Sequence, residues 1–351
     1  MKYVADFLGP GGFGTYEIDW SEQEPRVTPV NKRPELLLVP GFVDVHIHGA
    51  FGVDFMSATE SEMLELCGRL TDCGYESFLP TTVAASAADV MRAVSNLPDD
   101  SMIAGFHLEG PFLSPEFPGA QPRSALVDPP ATDSEWDEIF DHPKLKIVTL
   151  APELPHALEL IARLTTRGVR VGMGHTNATY EEARRGFEFG VSHATHAFNA
   201  MRPFHHREVG PIGYLLSNRT MGAEIIYDRR HVSREAATVL LANKNDDDVV
   251  AVSDSTLATG LPKGQTLEMW GQECVTGKDE VRIASTGALA GSCITLLDAF
   301  RNLGDDFGAE TAVRMCCLNP RKILGWRGRA RVFTEMSLNF EILGRKVRER
   351  V

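Results

Sequence analysis

From residue 41 onward, short apolar and β-branched runs alternate with amphipathic stretches that keep their charges to one side. The runs lie at 42–48 (FVDVHIH), 77–83 (SFLPTTV), 102–108 (MIAGFHL), 145–151 (LKIVTLA), 169–174 (VRVGMG), 191–196 (VSHATH), 222–227 (GAEIIY) and 249–253 (VVAVS). Runs of this length and type read as strands, and their spacing by helix-length segments reads as βα repetition. Eight such units are what closes a (β/α)8 TIM-type barrel, so the predicted class is α/β.

Between the runs lie helix signals. PELPHALELIARLTTRG at 152–168 opens on Pro and closes on Gly, and SREAATVLLANK at 233–244 opens on a Ser cap. The segment 293–318 reads as further helix after the eighth strand, and NPRKILGW at 319–326 as a short helical turn ending at Gly325. Residues 1–40 and 326–351 are rich in strand formers, as in RVFTEMSLNFEILGRKV at 331–347, and are expected to pair into a small β domain beside a barrel spanning 41–325. The Asp run at 246–248 reads as a solvated turn.

A chain of 351 residues that is 43% hydrophobic and 24% charged has the apolar content to bury a large core. Its net charge of −13 argues against a nucleic-acid partner, whose phosphates draw affinity from Lys and Arg, but permits a small anionic substrate where a few cations converge. The six cysteines, at 67, 73, 274, 293, 316 and 317, form no CxxC pair and read as reduced, mostly buried thiols. The chain does not begin with a basic leader and an apolar stretch, and no run approaches the ~20 apolar residues of a membrane span. A cytoplasmic protein without a membrane partner is the expectation.

Polar residues gather at the C-terminal ends of the predicted strands, where barrel enzymes assemble their sites. His46 and His48 end the first strand, Glu109 follows the third, His175 ends the fifth, His196 the sixth and Asp254 the eighth. Side-chain alternation puts His46 and His48, with Asp44, on one face. An isolated HxH pair can be satisfied by core hydrogen bonds, yet at a strand end both rings can reach a common ion. In LEGPF, Gly and Pro stop the strand and leave Glu109 at the rim, where a carboxylate suits a metal; the competing reading is a cap or salt bridge. His175 in GMGHT and His196 in THAFN offer imidazole nitrogen to Zn²⁺ or Fe²⁺, and two His with one Glu make an open catalytic site. Asp254, in VVAVSDST, ends a run too apolar to carry a charge without a reason. It can take a proton from a water and return it to a leaving amine, although an Asp after a strand is also a common helix cap.

The other histidines divide by position. His107 and His193 lie within strands and read as core or supporting groups, and His142 and His156 as exposed groups in helical surroundings. His205, His206 and Arg207 form a basic loop cluster, either a solvated face or an anion trap. His231, just past the seventh strand, can polarise a carbonyl or bind substrate.

PGFVDVHIHG, LEGPF, GHTNA, THAFNAM and SDS, in this order and spacing, resemble the N-acetylglucosamine-6-phosphate deacetylase family of the amidohydrolase superfamily. The likeness runs from about residue 40 to 325; LEGPF with THAFNAM marks the family and PGFVDVHIHG the wider superfamily. It implies a (β/α)8 barrel with a β-sandwich from the terminal segments, a homodimer, and hydrolysis of the N-acetyl group of a hexosamine 6-phosphate. By the resemblance, Glu109, His175 and His196 bind the main metal and Asp254 is the acid/base. His231 holds the substrate carbonyl, and Ala120, Gln121, Asn199, Ala200, Asp228, Leu289, Ala290 and Gly291 surround the sugar. Arg207 meets the phosphate, often across a dimer interface. Retention of His46 and His48 implies capacity for two divalent ions, Zn²⁺ or Fe²⁺, bridged by Glu109. Three departures stand out: Gln121 replaces a His usual in the family, the N-terminal segment is short, and the tail lacks the usual G-x-x-A-D-L stretch. The sandwich is therefore expected to be reduced. Two alternatives are a deacetylase of another N-acetyl amino sugar, whether galactosamine 6-phosphate or unphosphorylated, and a non-catalytic sugar-phosphate-binding protein.

Overall fold

The apolar runs all become strands, and they close on themselves. In the computed structural model, which describes residues 2–9, 11–21, 26–277, 279–326 and 330–347, the barrel strands are β1 (Phe42–Ile47), β2 (Tyr75–Pro80), β3 (Phe106–Glu109), β4 (Leu145–Leu150), β5 (Arg170–Met173), β6 (Val191–Ala194), β7 (Gly222–Ile226) and β8 (Val249–Val252). Strands β3 to β8 form one parallel sheet in chain order, and β1 pairs in parallel with β2. Parallel bridges Phe78↔Ile103 and Thr81↔His107 continue β2 toward β3, and Ile47↔Ser255 closes the ring. At that closure the Asp254 amide donates to the His46 carbonyl at 2.9 Å, so the ends of β1 and β8 are held side by side.

The strands are mostly shorter than the runs that predicted them; the start shifts at β2 and β3, and one parity differs from expectation. β2 begins at Tyr75, and Thr81–Val83 lie beyond it. β3 begins at Phe106 because Gly105 turns the chain at φ +143°, where a Cβ would lie 2.3 Å from the Lys144 carbonyl oxygen. In β1 the register against β2 shifts between Asp44 and Ile47. That irregularity takes Asp44 away from His46 and His48: its carboxylate accepts from the amides of His46 and Ser253 and from the Tyr75 hydroxyl. Burial pushes its pKa up to about 6 against those hydrogen bonds.

The crossovers are α1 (Glu60–Asp72), α2 (Ala87–Ser95), α3 (Asp137–Phe140), α4 (Ala157–Thr166), α5 (Tyr180–Phe189), α6 (Gly210–Ser217), α7 (Arg234–Ala242) and α8 (Leu296–Phe307). Local chemistry starts them. Thr59 with Glu62 and Thr179 with Glu182 make capping boxes on α1 and α5, and Ser233 caps α7. α4 buries Ala157, Leu160, Ile161 and Leu164, an i, i+3, i+4, i+7 stripe. Each such Leu or Ile contributes about 1.5–3 kcal/mol by leaving water. The expected single helix over 293–318 is interrupted at Gly308, φ +88°, and ends in a π-helical turn at Arg314–Leu318. His156 is the left-handed cap of α4 and is exposed, whereas His142 is half-buried with its ring edge-on to Phe106.

Inside the ring, Val43, Val45, Leu79, Ile147, Ile226, Val250 and Val252 form an apolar cluster with Ile323, Leu324 and Trp326 packed against it. The terminal segments form the small β region. A six-stranded sheet orders Ile342–Val347, Val332–Met336, Leu36–Pro40, Lys2–Gly9, Gly12–Asp19 and Arg26–Pro29, around an apolar cluster of its own. Residues 1, 10, 22–25, 327–329 and 348–351 of the expected β domain lie outside the described residues. Glu76, buried on β2, ties the two parts together. It receives two 3.0 Å bonds from the Arg321 guanidinium and accepts from the amides of Arg331 and Val332. The six cysteines are all free thiols, four of them buried.

One element was not anticipated. Between β8 and α8 the chain makes an antiparallel meander of Thr266–Met269, Gln272–Thr276, Glu280–Ile283 and Leu289–Ser292. A Ser255↔Ser292 bridge attaches it to the end of β8, so it stands beside the C-terminal mouth of the barrel.

Candidate active site

At that mouth, three residues that end strands depart from extended backbone. His175, His196 and Asp254 have φ of 45°, 29° and 47°. Left-handed backbone in a residue with a Cβ costs on the order of 1–3 kcal/mol and persists where surrounding structure enforces it. Here the turn brings all three side chains to one cavity of about 190 Å³.

Glu109 is the centre of the cluster. Its Oε1 lies 2.9 Å from His196 Nε2 and 3.2 Å from His175 Nε2, and those two nitrogens are 3.1 Å apart. Its Oε2 faces the other way, 3.3 Å from His48 Nε2 and 3.5 Å from His46 Nε2. Asp254 Oδ1 closes the second group at 3.2 Å from His48 Nε2 and 3.5 Å from His46 Nε2. The structure thus brings together all five expected ligands and the expected acid/base.

Electrostatics explain what such a cluster requires. Burial alone would raise the pKa of Glu109, but the imidazoles of His46, His175 and His196 outweigh it and hold the carboxyl well below its usual range. Asp254 is likewise lowered, burial being overcome by His48 and His46. His48 is pushed up to about 9: burial disfavours its charge, but Asp254 and Glu109 prevail. Two buried carboxylates therefore demand positive charge among them. A divalent cation meets that demand, and the donors fit one. Ligands at 2.0–2.2 Å around a tetrahedral ion are roughly 3.3 Å apart, close to the separations found here. His46 Nε2 is also a buried ring nitrogen without a hydrogen-bond partner.

The surroundings orient these groups. His48 Nδ1 faces the Thr81 carbonyl oxygen and His175 Nδ1 the Phe117 carbonyl oxygen, which leaves Nε2 of each ring for the site. Gln121 lines the cavity, but its amide is committed: Nε2 donates to Glu109 Oε2 at 2.7 Å and Oε1 accepts from the Ala84 amide at 2.7 Å. His231 also lines the cavity, with Nδ1 2.6 Å from Asp228 Oδ2. His107 lies in the core as expected, bonded to the Val45 carbonyl and the Thr149 hydroxyl; burial, reinforced by the charge of His46, lowers it to about 3.

Of the residues expected around the sugar, Ala120, Gln121, Asn199, Ala200, Leu289 and Gly291 line the cavity. Three do not. Ala290 alternates to the other face of its strand and is buried in the meander's apolar cluster. Asp228 sits behind His231, where it also accepts from the Arg230 and His231 amides. Arg207 is exposed on its loop and contacts His206.

Besides Gly119, which also lines the cavity, three residues were missed. Trp270, at the tip of the first hairpin of the meander, lines the cavity, is held by its indole N–H on Asp54 at 2.9 Å and meets the His48 ring edge-on. Ile226 forms part of the wall. Glu224 is completely buried on β7, 3.2 Å from His46 Nδ1. The signal for Glu224 was the one used for Asp254, a carboxylate in an otherwise apolar strand.

Comparison with known proteins adds kinship to this geometry. A family model for the amidohydrolase family matches residues 37–330. The chain is 35% identical over 274 residues to an N-acetylglucosamine-6-phosphate deacetylase of Lysinibacillus sphaericus, covering 76% of this chain and 70% of that protein. It is 32% identical over 314 residues to an N-acetylgalactosamine-6-phosphate deacetylase of Escherichia coli O157:H7, covering 87% and 82%. Among solved structures it is similar to N-acetylglucosamine-6-phosphate deacetylase from Thermotoga maritima, with TM-score 0.89 and 28% identity over 98% of this chain and 97% of that one. A mutant of the Mycobacterium smegmatis enzyme in complex with N-acetyl-D-glucosamine-6-phosphate gives TM-score 0.88 and 27% identity over 99% and 98%.

Proposed function

The chain belongs to the amidohydrolase family, and on that premise we propose that it hydrolyses the N-acetyl group of N-acetylglucosamine 6-phosphate, giving glucosamine 6-phosphate and acetate. One observation carries the reading: Glu109, His175 and His196 converge within 3.2 Å of one another at a cavity that Asp254 and His231 also line. The named relatives and the solved complex support the substrate class.

In this reading Glu109, His175 and His196 would hold one divalent ion, and His46 and His48, with Glu109 beside them, would hold a second. Zn²⁺ and Fe²⁺ suit imidazole and carboxylate donors. A cation bound there supplies a Lewis acid and lowers the pKa of a water toward neutrality. Asp254 would accept a proton from the attacking water as its oxygen adds to the amide carbonyl carbon. The same carboxyl then delivers that proton to nitrogen as the C–N bond breaks, giving amine and acetic acid, which loses its own proton to leave as acetate. As an imidazolium, His231 would donate Nδ1–H to Asp228 and Nε2–H to the carbonyl oxygen, where negative charge develops. Ala120, Gln121, Asn199, Ala200, Leu289 and Gly291 shape the space for the sugar. We assign the chemistry to residues 41–325, place the enzyme in the cytoplasm as a homodimer, and assign the phosphate to Arg207 of the opposite protomer.

A second reading, deacetylation of N-acetylgalactosamine 6-phosphate or of an unphosphorylated sugar, is favoured by a cavity whose lining, among the described residues, contains neither Lys nor Arg and by the galactosamine-type relative. Acetate release from a panel of N-acetyl hexosamines and their 6-phosphates, at defined metal content, decides between them. The first reading expects N-acetylglucosamine 6-phosphate to have the highest kcat/KM. Equal turnover of the unphosphorylated sugar would favour the second, and no acetate from any member would favour a binding protein.

A further inference from the structure

Glu224 is a buried carboxylate that the reaction as described does not use. It lies on β7 with no solvent exposure, and an ionised carboxylate there is expensive unless its oxygens are engaged. Oε2 is engaged: it lies 3.2 Å from His46 Nδ1 and accepts from the His196 amide at 3.4 Å. Oε1 makes no hydrogen bond but lies within ion-pair range of His193 Nε2, at 3.1 Å. An imidazole nitrogen that faces a carboxylate at this range carries the proton. His46 Nδ1 is then the donor, and the lone pair falls on Nε2, the atom between Glu109 Oε2 and Asp254 Oδ1. His193 sits on the far side of Glu224, with its own Nδ1 bonded to the Ser192 hydroxyl at 2.8 Å and its Nε2 facing the carboxylate.

We propose that Glu224, backed by His193, is a positioning residue that fixes the tautomer and orientation of His46 and thereby sets the affinity of the second ion. The proposal rests on the reading that His46 and His48 hold that ion. Outer partners of ligating histidines typically change metal affinity about 10–100-fold. Because Glu224 reaches the first group only through a backbone amide of His196, its side chain bears chiefly on the second ion.

The test is a Zn²⁺ titration of metal-free protein, with bound ions counted by elemental analysis after equilibrium dialysis. Wild type is expected to take two ions per chain. Glu224→Leu, which cannot accept from Nδ1–H, is expected to keep the first ion and bind the second at least ten-fold more weakly. Glu224→Gln, whose carbonyl oxygen can still accept, is expected to retain both within a few-fold. Two ions bound by Glu224→Leu as tightly as by wild type would overturn the proposal, and so would equal loss of both ions in the two variants, which marks a merely structural role. One ion in wild type would instead overturn the two-ion reading on which the proposal stands. Should Glu224→Leu fail to fold, ¹⁵N NMR of histidine-labelled, Zn²⁺-loaded wild type decides: a protonated Nδ1 on His46 supports the proposal and a protonated Nε2 contradicts it.

Discussion

Glu109 is the residue about which the site turns, because its two oxygens face different imidazole pairs and Gln121 holds one of them from outside. Gln121→Leu should leave Glu109 Oε2 without that donor, and metal affinity should fall about 10–100-fold, read by titration against a chelator. Asp254→Asn keeps shape but cannot accept and return a proton. Turnover should fall about 10²–10⁴-fold while metal content is unchanged; near-normal kcat would remove Asp254 from the mechanism. At this scale much of the site was legible, since a charged or ligating residue at a strand's end has few structural reasons to be there. What escaped depended on three-dimensional detail. Asp44 was assigned by strict alternation, which the irregularity in β1 breaks. Asp228 and Ala290 were expected in the cavity wall, but one serves as partner to His231 and the other points to the opposite face of its strand. Glu224 meets His46 across 178 positions of chain, a proximity that only barrel closure creates.

Elements were legible in proportion to how much of their order is local. The barrel strands announced themselves through continuous apolar runs, as strands covered on both faces do. The meander at 266–292 did not: its strands are four or five residues long, and part of its core is borrowed from Ala120 and Ala258 elsewhere in the chain. The pairing of Glu76 on β2 with Arg321 after α8 was equally silent, spanning 245 positions. It carries a clear stability prediction. Glu76→Ala leaves a buried guanidinium without its counter-charge, and unfolding free energy should fall by about 3–5 kcal/mol, measured by urea denaturation. The pair also predicts a pH dependence. Burial would raise the Glu76 pKa, but the hydrogen bonds and charge of Arg321 lower it below its ordinary value of 4.5. A depressed folded-state pKa stabilises above the unfolded value and loses that stabilisation as pH falls through the folded one. The stability gap between wild type and Glu76→Gln should therefore be constant near neutrality and narrow below about pH 4.5; a gap that widens in acid would contradict the assignment.

For the whole molecule, the cavity of one chain contains the proposed ligands and acid/base but, among the described residues, no Lys or Arg to meet a phosphate. Under the proposal that Arg207, exposed on its loop, meets the phosphate from a second copy of the chain, the complete site would belong to the pair. Arg207→Ala should raise KM for the phosphorylated sugar with little change in kcat. Mixed with Asp254→Asn chains under exchange and assayed at substrate well below its raised KM, it should recover activity in the hybrid dimers, up to about a quarter of wild type from random pairing; no recovery would place the phosphate contact within one chain. The account as a whole stands on side chains from five separate strand ends meeting around bound metal. Anomalous diffraction from a crystal of the Zn²⁺-loaded protein, recorded at the zinc edge, tests this most directly. The predicted map has its strongest peak within about 2.0–2.2 Å of Glu109, His175 and His196, with Asp254 facing it. Zinc bound elsewhere, with those three side chains free of it, would contradict the account.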